Sequence, residues 1–199
     1  MSEPSNRYEV ILADFPWPYS SFGTAKLPYE SMSWAKIRDF DWNEFVDDRF
    51  VLFSWVTGPL LAQQMLIHEH WREKFGWRYV GMPYVWVKTT NAGALVGAAG
   101  PRPSLVKPQA EFVVAYTNVR RGRPFPLLTE AQTPWLDDRD TFPTEEIPAP
   151  RQEHSAKPPM VRTKIEELLG PLRRLELFAR SASPGWYNLG AESQNKRIF

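Results

Sequence analysis

The sequence predicts an α/β fold, a mostly parallel sheet with helices on both faces. Three observations carry that expectation. Residues 8–13, 50–56 and 174–179 are near-continuous apolar runs, the pattern of parallel strands buried on both sides rather than of a half-exposed sheet. Helical segments read at 59–74 and 159–169, so strands and helices alternate. Glycine and proline punctuate the boundaries: Gly58-Pro59 opens the first helix and Gly170-Pro171 closes the second.

Taken in order, Tyr8-Glu9-Val10-Ile11-Leu12-Ala13 is the first strand and ends on Asp14-Phe15-Pro16-Trp17. The run over 50–56 ends on Thr57-Gly58, ahead of the helix over 59–74. Two more strands are expected at about 78–88 and 111–116. The second helix begins near Pro158-Pro159, and the last strand, 174–179, runs into Arg180. In such sheets ligands bind at the carboxyl ends of the strands. Asp14, Thr57-Gly58 and Arg180 all stand at such ends.

Two stretches read as irregular. Residues 89–109 carry Gly93, Gly97, Gly100 and three prolines, and residues 118–153 carry many prolines and mixed charge. Both are long for structureless connections and are expected to be functional or mobile. A basic cluster (Arg120, Arg121, Arg123) precedes an acidic one (Glu130, Asp137, Asp138, Asp140, Glu145, Glu146). Two readings stay open: a solvated, locally neutralised surface, or arginines on a substrate backbone with the acidic segment as a flap or partner surface.

At 199 residues, one domain with one core is expected. Apolar residues at 43% and charged residues at 24% are those of a soluble globular protein. The absence of cysteine excludes disulfides and thiolate metal sites and fits a reducing cytoplasm. No apolar run approaches the ~20 residues of a membrane span, and the run over 8–13 is too short for a signal peptide. A formal charge of +1 is not the footprint of a strong nonspecific nucleic-acid binder. Most of the nine tryptophans are expected to fill the core. His68 and His70 are two apart on a predicted helix, so they face different ways and read as structural, not as a metal pair.

The informative chemistry lies in Asp14-Phe15-Pro16-Trp17. A carboxylate and the carbonyls beside a proline can accept hydrogen bonds from an amine on a flat ring, and an aromatic can stack on that ring. Such a site suits the N6 amine of adenine, whose lone pair is delocalised into the ring and must be localised before it can attack.

This tetrapeptide resembles the Asp-Pro-Pro-Trp signature of the N6-adenine methyltransferases, in the branch of the eukaryotic mRNA N6-adenosine writer and its bacterial and phage relatives. Four further blocks match in order: Leu27-Pro28-Tyr29-Glu30-Ser31-Met32-Ser33, Phe53-Ser54-Trp55-Val56-Thr57-Gly58, Val85-Trp86-Val87-Lys88-Thr89 and His154-Ser155-Ala156-Lys157-Pro158. A sixth, Arg174-Leu175-Glu176-Leu177-Phe178-Ala179-Arg180, is followed by Trp186 and Leu189-Gly190, so the resemblance spans residues 8–192.

The resemblance implies a Rossmann-like S-adenosylmethionine-dependent methyltransferase fold in permuted order, with the catalytic motif ahead of the donor-binding motif. It implies an adenine-N6 methyltransferase acting on nucleic acid, DNA ahead of RNA, with S-adenosylmethionine as cofactor and no metal. Asp14, Phe15, Pro16 and Trp17 are then the catalytic residues. Asp14, Lys157, Glu176, Arg180, Gly190, Ala191 and Glu192 are expected at the donor, with His154 and Ser155 capping or lining the pocket. Trp17, Tyr29, Lys88 and Glu111 are expected at the substrate, and the charge pattern adds Arg120, Arg121 and Arg123. Phe15 stands where the family usually has proline, and Ala191 where it has asparagine. A cytoplasmic protein of a prokaryote or its virus is expected, and a homodimer or a partner subunit is left open. Two alternatives stay beside this reading: a catalytically silent or partner-dependent nucleic-acid-binding homologue, and a methyltransferase for another amine.

Overall fold

The computed structural model describes residues 7–19, 30–97, 108–127, 145–151 and 156–190. Its strands are β1 (Tyr8–Ala13), β2 (Val46–Thr57), β3 (Arg78–Thr89), β4 (Ala110–Thr117), β5 (Glu145–Pro150), β6 (Arg174–Leu177) and β7 (Tyr187–Leu189). Its helices are α1 (Trp34–Arg38), α2 (Leu61–Phe75) and α3 (Met160–Leu169). The strands form one sheet in the order β5-β3-β4-β2-β1-β6-β7. β1 pairs in parallel with β2 and β6, β6 with β7, and β3 with β5. β4 alone runs the other way, antiparallel to both β2 and β3.

The apolar runs become strands because both faces of the sheet are covered. On β1, Ile11 and Ala13 face the layer that holds Ile37 of α1 and Ile67 and Trp71 of α2. Val10 and Leu12 face the opposite layer, with Val161, Ile165 and Leu169 of α3. β2 divides the same way: Leu52 and Val56 to one side, Phe53 and Trp55 to the other. A side-chain period of two with apolar residues at every position produces this two-sided burial. Of the eight tryptophans among the described residues, seven (17, 42, 55, 71, 77, 86 and 186) are buried. No helix of the described residues is long and apolar enough to cross a membrane.

The differences from the expected elements have local causes. β5 lies inside the stretch read as irregular, and its sequence, with Pro148 and Pro150, carries no strand signal. It pairs only with β3, at the sheet edge, where proline is tolerated because one side of the strand needs no donor. β7 is a three-residue strand at the opposite edge. α1 is short and starts at Ser33, whose Oγ accepts the Lys36 N–H at 3.3 Å. A 3-10 turn over Gly58–Leu60 precedes α2, which stops at Gly76 in the left-handed conformation, φ 68°. β6 ends two residues before the expected 179, because Phe178 takes φ 63° and breaks the ladder.

Candidate active site

Asp14 leaves the carboxyl end of β1, and its N–H continues the ladder to Leu177 O at 3.3 Å. Its carboxylate meets Lys157, which stands just ahead of α3, with 2.9 Å between Oδ2 and Nζ. Lys157 Nζ also lies 3.3 Å from Glu111 Oε2, an ion-pair contact outside hydrogen-bond geometry. Glu111 Oε1 accepts from Lys88 Nζ at 2.6 Å. Asp14, Lys157, Glu111 and Lys88 thus form one chain of alternating charge that links the end of β1, the segment ahead of α3, β4 and β3.

Four ionised groups balance to zero net charge, which is what makes their burial tolerable. Side-chain exposure is 8% for Lys88, 10% for Lys157 and 12% for Glu111, and Asp14 is the most open at 24%. The ammonium groups also sit over aromatic faces, Lys157 Nζ at 5.4 Å from the Trp55 ring centre and Lys88 Nζ at 5.1 Å from that of Trp86.

The two carboxyls of this chain differ. Burial pushes the Asp14 carboxyl above its ordinary range, and Lys157 only partly pulls it back. Burial pushes Glu111 the same way, but Lys157 and Lys88 together outweigh it and hold that carboxyl below its ordinary range. For Lys157, burial opposes the charge, yet Asp14 and Glu111 outweigh burial and keep the ammonium protonated. Asp14 is therefore the more basic carboxylate, and it is the one that faces outward.

The carbonyls after Asp14 are partly used. Phe15 O accepts the Trp17 N–H at 2.8 Å and Pro16 O accepts the Met32 N–H at 2.9 Å. Each oxygen has a second lone pair. The rings beside them point inward. Phe15, the residue that departs from proline, is the hub of an aromatic cluster, 4.6 Å from Phe178, 5.4 Å from Trp71 and 5.5 Å from Phe40. Trp17 corrects an expectation: its ring is 2% exposed and packs against Phe15, Trp34 and His68, so it presents no open face on which a base could stack.

The turn after β6 carries Arg180 to the same end of the sheet, close enough for its charge to act on Asp14. Glu176 fixes this turn. Its carboxylate takes Arg162 Nη1 at 2.9 Å, Asn188 Nδ2 at 3.1 Å and Ser183 Oγ at 3.4 Å. Burial raises the Glu176 carboxyl, with Arg162 opposing. Gly190 is required by packing: a Cβ there would stand 2.1 Å from Ala179 O and 2.7 Å from Ala179 N. That contact accompanies the Ala179 N–H bond to Leu189 O at 3.0 Å.

Arg120, Arg121 and Arg123 are not brought to this site. They follow the far end of β4, whose Thr117 pairs with Val51, while Glu111 pairs with Thr57 at the Asp14 end. Six residues of strand separate the two ends by roughly 20 Å. Because β4 runs antiparallel, the loop after it emerges on the opposite edge, where Arg78 holds it through Val119 O at 3.0 Å and Gly122 O at 2.5 Å. Tyr29, His154, Ser155, Ala191 and Glu192 lie outside the described residues, as do Glu130, Asp137, Asp138 and Asp140. Reading the sequence missed Tyr19, Gln64, Arg162 and Asn188, which reach the site or its supports only through tertiary contacts and carry no local signal.

The MT-A70 family model matches residues 8–192, a span that contains all six ordered blocks. The chain is similar to the type II methyltransferase M.MunI of Mycoplasma sp., 25% identical over 217 residues that cover 98% of this chain and 82% of that one. It is similar to an N(6)-adenosine-methyltransferase MT-A70-like protein of Arabidopsis thaliana, 25% identical, covering 96% of this chain and 24% of that one. It is similar also to the N(6)-adenine-specific methyltransferase METTL4 of Mus musculus, 26% identical, covering 93% of this chain and 37% of that one. With a match over nearly its whole length, a span that contains Asp14, Glu111, Lys157 and Arg180, the chain belongs to the MT-A70 family.

Proposed function

We propose that this protein transfers a methyl group from S-adenosylmethionine to the exocyclic N6 amine of adenine in nucleic acid, with DNA ahead of RNA as the polymer. The observation that carries the reading is Asp14: a basic carboxylate, the most open member of a buried charge chain, next to carbonyls with unused lone pairs. The carboxylate accepts one N–H of the amine, and Phe15 O or Pro16 O accepts the other. Both contacts strengthen as positive charge develops on nitrogen, so they favour the transition state over the bound substrate. Lys157 holds the Asp14 carboxylate in one orientation, which supports positioning as the main source of rate. Once the new N–C bond forms, the amine sheds a proton, and the raised Asp14 carboxyl is suited to take it.

The residues at this end fit the donor. When bound, S-adenosylmethionine supplies an electrophilic methyl group on a sulfonium cation. Asp14 offers that cation a partly exposed carboxylate, and Arg180 and Lys157 offer donors for its carboxylate and hydroxyl groups. Glu176 acts through the turn that carries Arg180. Asp14 is recessed, so an adenine in a duplex must be turned out of the stack to reach it. DNA is put first because the chain is similar over 98% of its length to a bacterial type II methyltransferase.

The test is methyl transfer from labelled S-adenosylmethionine to mixed-sequence DNA and RNA, with nucleoside analysis, for wild type and Asp14→Ala. N6-methyladenine that appears with wild type and vanishes with the variant is the expected result. Methylation of cytosine, or no product from a folded wild type on either polymer, overturns the reading.

A further inference from the structure

The loop that carries Asp14 is tied down a second time, at a place outside the motif. Tyr19 OH lies 2.8 Å from Thr57 Oγ1. Thr57 ends β2, stands opposite Glu111 in the β2–β4 ladder, and donates its own N–H to Gln64 Oε1 at 2.8 Å. Gln64 is fully buried in the first turn of α2. Glu111 faces Lys157, and Lys157 faces Asp14. The path from Asp14 through Lys157, Glu111, Thr57 and Tyr19 therefore returns to the loop it started from and closes a ring.

Among the described residues, three backbone hydrogen bonds hold the loop inside that ring. Trp17 N–H reaches Phe15 O at 2.8 Å, Tyr19 N–H reaches Trp17 O at 3.0 Å, and Met32 N–H reaches Pro16 O at 2.9 Å. The first two span two residues each; the buried rings of Phe15 and Trp17 pin the middle of the segment, and its far end at Tyr19 is left for another contact to fix. The Tyr19–Thr57 contact anchors its far end to β2, and Gln64 anchors Thr57 to α2. The aim of the Phe15 and Pro16 carbonyls depends on where this segment sits, and small misplacement of such groups is costly to rate. Burial keeps the Tyr19 phenol neutral, so it works as a hydrogen-bonding strap and not as an acid or base.

We propose that Tyr19, acting through Thr57, is a positioning residue for methyl transfer, holding the Asp14–Tyr19 loop in the attitude that receives the amine. The inference rests on the adenine-amine reading above.

Tyr19→Phe removes one oxygen, Thr57→Val removes its partner, and Thr57→Ser keeps a hydroxyl. Hydrogen–deuterium exchange at Trp17, Tyr19 and Met32 is expected to speed up about tenfold in the first two and to stay near wild type in the third. kcat is expected to fall about tenfold in the first two, with KM for S-adenosylmethionine within about twofold of wild type. Combining Tyr19→Phe with Thr57→Val should do no more harm than either alone. Unchanged exchange and unchanged kcat in Tyr19→Phe overturn the proposal. So do losses that add and that Thr57→Ser fails to restore, since general packing would then explain them. A wild type that transfers no methyl group overturns the adenine reading instead, and the exchange data still decide whether the strap holds the loop.

Discussion

His68 makes folding stability depend on pH in a way that can be worked out in advance. It is fully buried on α2, with Nε2 3.0 Å from Ser54 Oγ and rings of Trp71, Tyr116 and Trp17 around it at 5.1, 5.2 and 6.4 Å. Burial alone lowers its pKa from the ordinary 6.5 to about 3. The unfolded chain therefore binds a proton that the folded chain refuses between about pH 6.5 and pH 3. Stability is present above that window and is lost as pH falls through it. At pH 5 the folded state is still essentially unprotonated, so the loss relative to pH 7 is set by the unfolded value and comes to about 2 kcal/mol. The full loss, reached below about pH 3, approaches ~5 kcal/mol. Urea unfolding of wild type and His68→Leu at pH 7 and pH 5 measures the effect. Asp14, Glu111 and the other carboxyls titrate in both proteins and cancel in the difference. Wild type should lose about 2 kcal/mol more than the variant between the two pH values. Equal losses, or an NMR titration of His68 near its ordinary value, would refute the argument. Because Trp17 packs on this ring, methyl transfer should fail in the same acid range as the fold.

Gly190→Ala drives a Cβ into the backbone of Ala179; a loss of about 1–3 kcal/mol in thermal unfolding is expected, with weaker S-adenosylmethionine binding by calorimetry. Unchanged values for both would show that the turn after β6 has room to move. Replacing Arg120, Arg121 and Arg123 together by alanine should leave kcat on short oligonucleotides within about twofold of wild type, because these residues follow the far end of β4. A loss of kcat comparable to that of Asp14→Ala would mean that substrate reaches across the whole sheet edge.

Much of this molecule is legible in the order of its residues. Short continuous apolar runs bounded by turn residues fit strands covered on both faces, so β1, β2 and β6 and the helices that cover them follow from run length, composition and punctuation. Asp14 at the end of β1 and Arg180 past the end of β6 follow too, because strand ends are where side chains can face a ligand. Glu111 was legible as a charged residue near such an end and Lys157 only through the family resemblance, and neither was legible as the other's partner. β5 was not legible: an edge strand pairs on one side only, tolerates proline, and needs no apolar period of its own. Nor was the inward turn of Trp17, since an aromatic next to a motif reads the same whether it faces a base or the core. The class of fold and the carboxylate at the end of the first strand can be read from the order of residues, because burial pattern and chain punctuation are local properties. Tertiary structure alone decided that β4 runs antiparallel, which sends Arg120, Arg121 and Arg123 away from Asp14. It also closed the ring of Asp14, Lys157, Glu111, Thr57 and Tyr19. Those outcomes depend on strand direction and on contacts between residues up to 143 positions apart (Asp14 and Lys157), and no local pattern encodes either.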